Sequence, residues 1–481
     1  MSKNSICKDR PPNIIFIMTD QHRFDCLGCY GNNILHTESI DKLAADGMVF
    51  NNAYCPSPIC GPSRASIFSG IHAGKSGHYH NWVPFRPGIT LLTDRLFNCG
   101  YYNAMAGKLH LHPTRARHGF DWKMLCDSPH DLYCRDEVEI NPYLQFVADE
   151  KFDGDKEKLI QTARISEQSP ASDHAFWQGF SYLDDKYQMT TWTGDTSVNF
   201  INGWNHSKPL FMHISFFGPH HPYATCEPWD SMYDPDSIEL PETFDLSKEG
   251  PVFADKLKIR SQMRKWDKSV WQKMTAQYYG NISAIDKQVG RIISALKQNN
   301  LYDNSIIVFT SDHGDHMGDY ALLGKGDMYE SSVKVPLIIK MPESNNKGIR
   351  LDKPVSSIDL FGTFLDAAGD SDWRNDELIE SGSMLELLTG NNDFRSSEVF
   401  AIFAANPNSI VSMLRQGDIK LILARKGSNI AYEAYDLNDP VKDYRNVFNE
   451  SAYQPVIAEM RPRLDKWTQE QYDAHPLVNS K

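Results

Sequence analysis

No stretch of this 481-residue chain approaches the roughly 20 consecutive apolar residues that a membrane span needs. Positive charge is not in excess either. Against 49 Lys plus Arg stand 62 Asp plus Glu, a formal net charge of -13, which disfavours non-specific attraction to nucleic acid or an anionic membrane. Neither partner is expected. A disulfide framework is also missing, since the nine cysteines are odd in number and follow no framework spacing, as suits reduced thiols. Cys26-Leu27-Gly28-Cys29 is a lone C-x-x-C pair with no second pair at zinc spacing, so it reads as packing or turn thiols. Repeats and low-complexity tracts are absent. Met1 to Pro12 is polar and has no signal-peptide apolar region, so the chain as written is expected in the cytoplasm, or in the periplasm if a leader has been removed.

What is present is a globular composition, 41% hydrophobic and 11% aromatic, long enough for a large core and more than one domain. Asn13 to Thr19, "NIIFIMT", is a continuous apolar, β-rich run, as expected for a strand buried on both faces of a parallel sheet. The pattern recurs in "PLFMHISFF" from Pro209, "SIIVFT" from Ser305 and "VPLIIKM" from Val335. Helical patterns lie between these runs. "TESIDKLAADG", Thr37 to Gly47, starts with a capping-type Thr, and Asn281 to Asn300 places Ile282, Ile285, Val289, Ile292, Ile293 and Leu296 on one stripe. The alternation predicts an α/β fold with a large mixed, mostly parallel central sheet sandwiched by helices.

Leu125 to Asp267 is rich in Asp, Tyr, Trp and Pro and reads as long insertions around the site mouth. From Glu398, "VFAIFAA", "SIVSML", "DIKLILA" and "AYEAYDL" lead to a closing helix around Pro455 to Gln471, which predicts a smaller α+β subdomain with an antiparallel sheet. The expected division is a catalytic domain over residues 1–375 and a C-terminal subdomain over 376–481.

In such sheets ligands sit beyond the carboxyl ends of the strands. Asp20 and the pair Asp312-His313 follow apolar runs and would offer oxygens and an imidazole nitrogen to a divalent cation. Carboxylate-rich ligation favours a hard ion, Ca²⁺ first, with Mg²⁺ or Mn²⁺ as alternatives; Gln21 could add a neutral oxygen. Lys108, His110, His220 and Lys325 bring cationic or protonatable groups, and Arg64 a fork suited to oxyanions. Pro62, two positions after Cys60, suits the first turn of a helix, so Cys60 would lie at its positive end with backbone N–H groups facing an anion. None of this accounts for a thiol there.

Cys60-Gly61-Pro62-Ser63-Arg64 resembles the C-x-P-S-R signature of the type I sulfatases, in the alkaline phosphatase superfamily. The resemblance extends to "NIIFIMTDQ", "GKLH", "GPHHPY", "TSDHGDHMGDYALLGKGDMYESSVKVPLII" and "DIKLIL…YDLNDP". It implies that Cys60 is oxidised to formylglycine by a formylglycine-generating or anaerobic sulfatase-maturating enzyme, and that its hydrate, held against the metal with Asp20, Gln21, Asp312 and His313, supplies the nucleophilic oxygen. By the same resemblance Lys108, His220 and Lys325 neutralise the sulfuryl oxygens, His220 or Lys325 protonates the leaving alcohol, and His110 is the base that lets sulfate depart. His220 is preferred to His221 because the family's histidine directly follows Pro.

The implied activity is sulfate ester hydrolysis on a small substrate, expected to be a sulfated saccharide such as a glycosaminoglycan fragment, for example one with a 2-O-sulfated uronate. Tyr- and Trp-bearing segments "NPYLQF", "TTWTGD" and "HPYATCEPWDSMY" suit sugar stacking. Asp20-Gln21 and Asp312-His313 stand where many members have Asp-Asp and Asp-Asn. They are also similar to the choline sulfatases and phosphonate monoester hydrolases, so phosphonate monoester, phosphodiester and choline sulfate hydrolysis remain alternatives. Outside enzymes, the alternative is an anion- or metal-binding protein in which Cys60 is never converted.

Overall fold

The structure, a computed structural model, describes residues 11–114, 116–127, 141–159, 178–180, 183–246, 263–342, 346–390, 398–406 and 409–476. Cys7 and Cys134 lie outside these residues, and the described cysteines are all free thiols.

Strands β1 (Asn13–Asp20), β2 (Met48–Phe50), β3 (Tyr102–Gly107), β4 (Trp122–Leu125), β5 (Leu210–Pro219), β6 (Ser305–Ser311), β7 (Leu337–Lys340) and β8 (Ile349–Leu351) form one sheet. Their order is β8-β2-β7-β6-β1-β5-β3-β4. Every residue of β1 is buried because both faces are covered. Its alternate side chains feed two cores, Ile14, Phe16 and Met18 on one face and Ile15 and Ile17 on the other, the period-two consequence of the pleat. On the first face lie α2 (Cys60–Ser69) and α5 (Leu360–Ala368), which contribute Phe68 and Phe364. On the second lie α1 (Glu38–Asp46), α3 (Met189–Gly203) and α4 (Lys268–Gln298), which contribute Leu43, Ile201 and Ile285.

A second sheet, β9 (Glu398–Asn406), β10 (Ser409–Gln416), β11 (Ile419–Lys426) and β12 (Asn429–Asp436), is antiparallel throughout. It packs Leu414, Leu421 and Leu423 against Ile457, Met460 and Leu464 of α6 (Gln454–Ala474). Among the described residues no helix is long and apolar enough to cross a membrane.

Four local expectations are corrected. The run from Val335 is a strand, but β7 is antiparallel to β2 and β6; the chain returns from β6 without the long crossover helix a parallel pairing needs. The stripe from Ile282 begins earlier, since Trp271, Met274 and Tyr278 continue it in a helix of 31 residues. Part of the supposed insertion region is α3, a core helix whose inner face is largely polar, with Thr190, Thr191, Thr193 and Ser197 buried. Finally, Thr37 does not cap α1; Asp286 of α4 accepts from Ser39 N and Ile40 N at 3.1 and 2.8 Å.

Candidate active site

The strand order β6-β1-β5-β3 sets four polar tails side by side at one edge of the sheet. Asp20 ends β1, Asp312-His313 follows β6, His220 follows β5 and Lys108 follows β3. The fifth component comes from α2, whose ten residues are all buried. Its first residue is Cys60, so the start of the helix is driven into the protein against the strand ends.

Arg64, one turn on, holds this edge together. Its Nε donates to Asp312 Oδ2 at 2.8 Å, Nη2 to Asp20 Oδ2 at 3.3 Å, and Nη1 to Ser215 Oγ and to the Lys108 carbonyl at 2.8 and 3.0 Å. Asp20 also faces Lys108 Nζ at 2.7 Å, Lys325 Nζ at 3.8 Å and His220 Nε2 at 3.9 Å. Burial alone would raise the Asp20 pKa, but Lys108, His220, Lys325 and Arg64 outweigh it and hold the carboxyl well below its ordinary range.

The thiol of Cys60 lies 3.4 Å from Asp20 Oδ1, 3.2 Å from His313 Nε2 and 3.1 Å from Lys325 Nζ. Burial and Asp20 push this thiol up, yet Lys325, Lys108 and His313 prevail and bring it below its usual value. Asp20, Cys60, Asp312 and His313 offer ligand atoms that all lie within 4.8 Å of one another, and all four residues are buried. His313 Nδ1 faces the Gly314 carbonyl at 2.9 Å, which leaves Nε2 turned into the cluster. Two carboxylates and one imidazole edge are a donor set that fits a hard divalent cation.

Gln21 sits beside that set at φ 65°. Its Oε1 accepts from Lys325 Nζ at 2.6 Å, and its amide nitrogen donates to Asp315 and to Tyr223. His110 is buried, neither ring nitrogen has a partner among the described residues, and it borders Trp82 at 5.2 Å between centroids. Burial first and Lys108 second depress its pKa far below that of an ordinary imidazole. Its backbone, at φ 54°, is pinned by Asp127, which accepts from Leu109 N and His110 N. His220 is lowered in the same way, by burial and then Lys325 and His221. Of the two adjacent histidines, His220 approaches Asp20, whereas His221 Nδ1 meets the Gln21 amide at 3.4 Å.

All the candidate residues, Asp20, Gln21, Cys60, Arg64, Lys108, His110, His220, Asp312, His313 and Lys325, therefore gather at this edge. Two details differ from expectation: Gly61 N–H at the helix start donates to Asn81 Oδ1 at 2.9 Å and is not free for an anion, and the Arg64 fork, expected to meet an oxyanion, is buried and committed to Asp20, Asp312, Ser215 and the Lys108 carbonyl. The sequence reading assigned no role to Ser215, Asp315, Asp127 or Asn81. Ser215 shares the α2-facing side of β5 with Phe211 and His213, a polar residue near the end of an apolar run. The aromatic segments proposed for sugar stacking are corrected outright, because Tyr143, Trp192, Tyr223, Trp229 and Tyr233 are all buried. Tyr143 packs on Trp192, and Trp229 Nε1 donates to Asp185.

Lysines and histidines gathered around a buried thiol at the carboxyl edge of this sheet sit in an alkaline phosphatase fold. The sulfatase family profile matches residues 12–370, and a profile described as N-sulphoglucosamine sulphohydrolase, C-terminal, matches 318–470. The chain belongs to the sulfatase family and is a sulfuric ester hydrolase. An arylsulfatase from Clostridium perfringens is 28% identical over 463 residues, covering 95% of this chain and 94% of that protein. An N-acetylglucosamine-6-O-sulfatase from Bacteroides thetaiotaomicron is 25% identical over 526 residues, covering 96% and 87%. In fold, the phosphonate monoester hydrolase of Agrobacterium radiobacter superposes with a TM-score of 0.74 at 20% identity, covering 96% of each chain.

Proposed function

We propose that this sulfatase cleaves a sulfated saccharide, of the kind found in glycosaminoglycan fragments, and that a maturating enzyme first converts Cys60 to formylglycine. One observation carries the reading: the Cys60 side chain stands within 3.4 Å of a carboxylate, an imidazole and an ammonium at once, Asp20, His313 and Lys325. A hydrated aldehyde at this position would supply a nucleophilic oxygen and, on its second hydroxyl, the means to expel sulfate without water attacking sulfur. Asp20, Asp312 and His313, with Gln21 beside them, would hold a divalent cation, Ca²⁺ first, whose Lewis acidity polarises that oxygen.

The chain's own groups then divide the work. Lys108 and Lys325 neutralise charge on the sulfuryl oxygens. His220 or Lys325, which face Asp20 at 3.9 and 3.8 Å, protonates the leaving alcohol. His110, its pKa depressed by burial and Lys108, accepts the proton released when sulfate departs. Arg64 fixes Asp20 and Asp312 and is itself enclosed by protein. The saccharide reading is supported by the sulfated amino sugar named for the Bacteroides relative.

The test is a panel of defined sulfated mono- and disaccharides, with mass analysis of the Cys60 peptide from enzyme made in the native host. Formylglycine and turnover of at least one saccharide are expected, with Cys60→Ala inactive but folded. Unmodified thiol throughout would favour the binding protein. The fold shared with a phosphonate monoester hydrolase sustains one second reading, and kcat/KM on paired aryl sulfate and aryl phosphonate separates them.

A further inference from the structure

With the five aromatic residues expected to stack on sugar buried in the core, the mouth of the site needs another surface for the alcohol half of the substrate. Among the described residues Trp82 is the most exposed large hydrophobic side chain, at 56%. It is not loosely placed. The preceding residue, Asn81, is tied to the residue after Cys60 through Gly61 N, and the Trp82 indole meets the His110 ring at 5.2 Å with the planes 62° apart. The same segment brings His78 Nε2 to 3.0 Å from where a Gly61 Cβ would stand, and His78 rests on Phe85 at 5.1 Å. Asn81 and His78 thus build a wall against the start of α2, with the indole at its rim.

We infer that Trp82 is the specificity-determining platform for the leaving group, stacking against the pyranose ring of the sulfated saccharide while His110 addresses its polar edge. The inference rests on the saccharide reading above. A flat indole offers area to the apolar face of a sugar at little conformational cost. The ring nitrogens of His110, beside Trp82, are unpartnered among the described residues, so a hydroxyl brought to this rim would give them a hydrogen bond. Burial keeps His78 neutral, with a pKa of about 3, so this side chain adds no positive charge to the wall.

The experiment uses matured enzyme, KM for the best saccharide sulfate of the panel, and the inhibition constant of inorganic sulfate, which fills only the anion subsite. Trp82→Ala should raise the saccharide KM about tenfold, the scale of one lost stacking contact, with the sulfate inhibition constant changed less than twofold. Trp82→Phe should recover most of the loss. An unchanged saccharide KM in Trp82→Ala overturns the inference, as does a parallel rise of both constants, which would mean that the indole serves the anion subsite through His110. If the wild-type enzyme hydrolyses an aryl sulfate but no saccharide of the panel, the substrate reading has failed first and takes this inference with it.

Discussion

Arg64 shows what one residue is asked to do here. It is wholly buried and bonded to Asp20, Asp312, Ser215 and a main-chain carbonyl, a planar fork that no ammonium reproduces. Arg64→Lys should cost about 3 kcal/mol, the scale for breaking a buried ion pair, and lower kcat at least a hundredfold because both carboxylates shift; urea denaturation and steady-state kinetics check the two effects. His213 gives a pH-dependent counterpart. Packed between Phe16 and Phe68 at 4.9 and 5.2 Å, it is driven by burial, then by Arg64, to a pKa of about 3. The native chain leaves it neutral while the unfolded chain protonates it near pH 6.5, so its contribution is full above that pH and is lost on acidification towards pH 3. His213→Leu should flatten the stability curve between pH 6.5 and 4.5 by about 1.4 kcal/mol per pH unit, read from urea midpoints; an unchanged slope would show that the ring titrates normally. Strand-end residues such as Asp20 and Asp312 were legible because an apolar run that stops at a charge announces its own end. Asp127 and Asn81 were not, since each works by accepting main-chain N–H groups inside irregular loops where no period marks the position.

At the level of elements, the close approach of β3 and β5 sets where Lys108 stands. Gly107 ends β3 at φ 100°, and a Cβ there would lie 1.9 Å from the Ser215 carbonyl oxygen, the same oxygen that accepts from Lys108 N at 2.8 Å. Only glycine permits both the left-handed conformation and the contact. Gly107→Ala should therefore destabilise the protein by about 1–3 kcal/mol, the range for enforced backbone strain, and lower kcat/KM more than tenfold as Lys108 moves off Asp20. A thermally stable, fully active Gly107→Ala would refute the assignment of this contact as the determinant of the strand end. The buried parallel strands were readable because a two-faced layer demands unbroken apolar runs. The direction of β7 was not, because an apolar run carries no sign of polarity and the decisive fact, a return without a crossover helix, lies in tertiary connection. Helix α3 was hidden for a related reason: its buried face is threonine and serine, so the apolar periodicity that marks a helix never forms.

For the whole molecule, the question is how a small antiparallel sheet, far from Cys60 in sequence, bears on the site. Lys420 of β11 has no solvent exposure and pairs with Glu330 Oε1 at 2.9 Å and Asp443 Oδ1 at 2.5 Å; Glu330 Oε2 in turn accepts from Tyr54 at 2.9 Å. Glu330 closes the loop that carries Lys325 and Asp327, and Asp327 pairs with His316 at 2.8 Å. A cut at residue 375, the boundary expected from composition, would part Glu330 from Lys420 and Asp443. We propose that the two lobes share this buried network and are not independent folding units. Burial pushes the Glu330 carboxyl up, but Lys420 and neighbouring cations bring it down to about 2, so its contribution is present above pH 4.5 and is lost as pH falls towards 2. Lys420→Met removes the foremost of these cations, costing about 3–5 kcal/mol at pH 7, and moves the Glu330 pKa upward, so acidification from pH 7 to 5 should narrow the stability gap between variant and wild type. Because the same change frees the Lys325 loop, kcat should fall with little change in the Trp82-dependent saccharide KM. Urea denaturation at the two pH values decides the matter: a uniform offset between variant and wild type would show that Lys420 is replaceable packing and that the C-terminal sheet does not hold the catalytic loop.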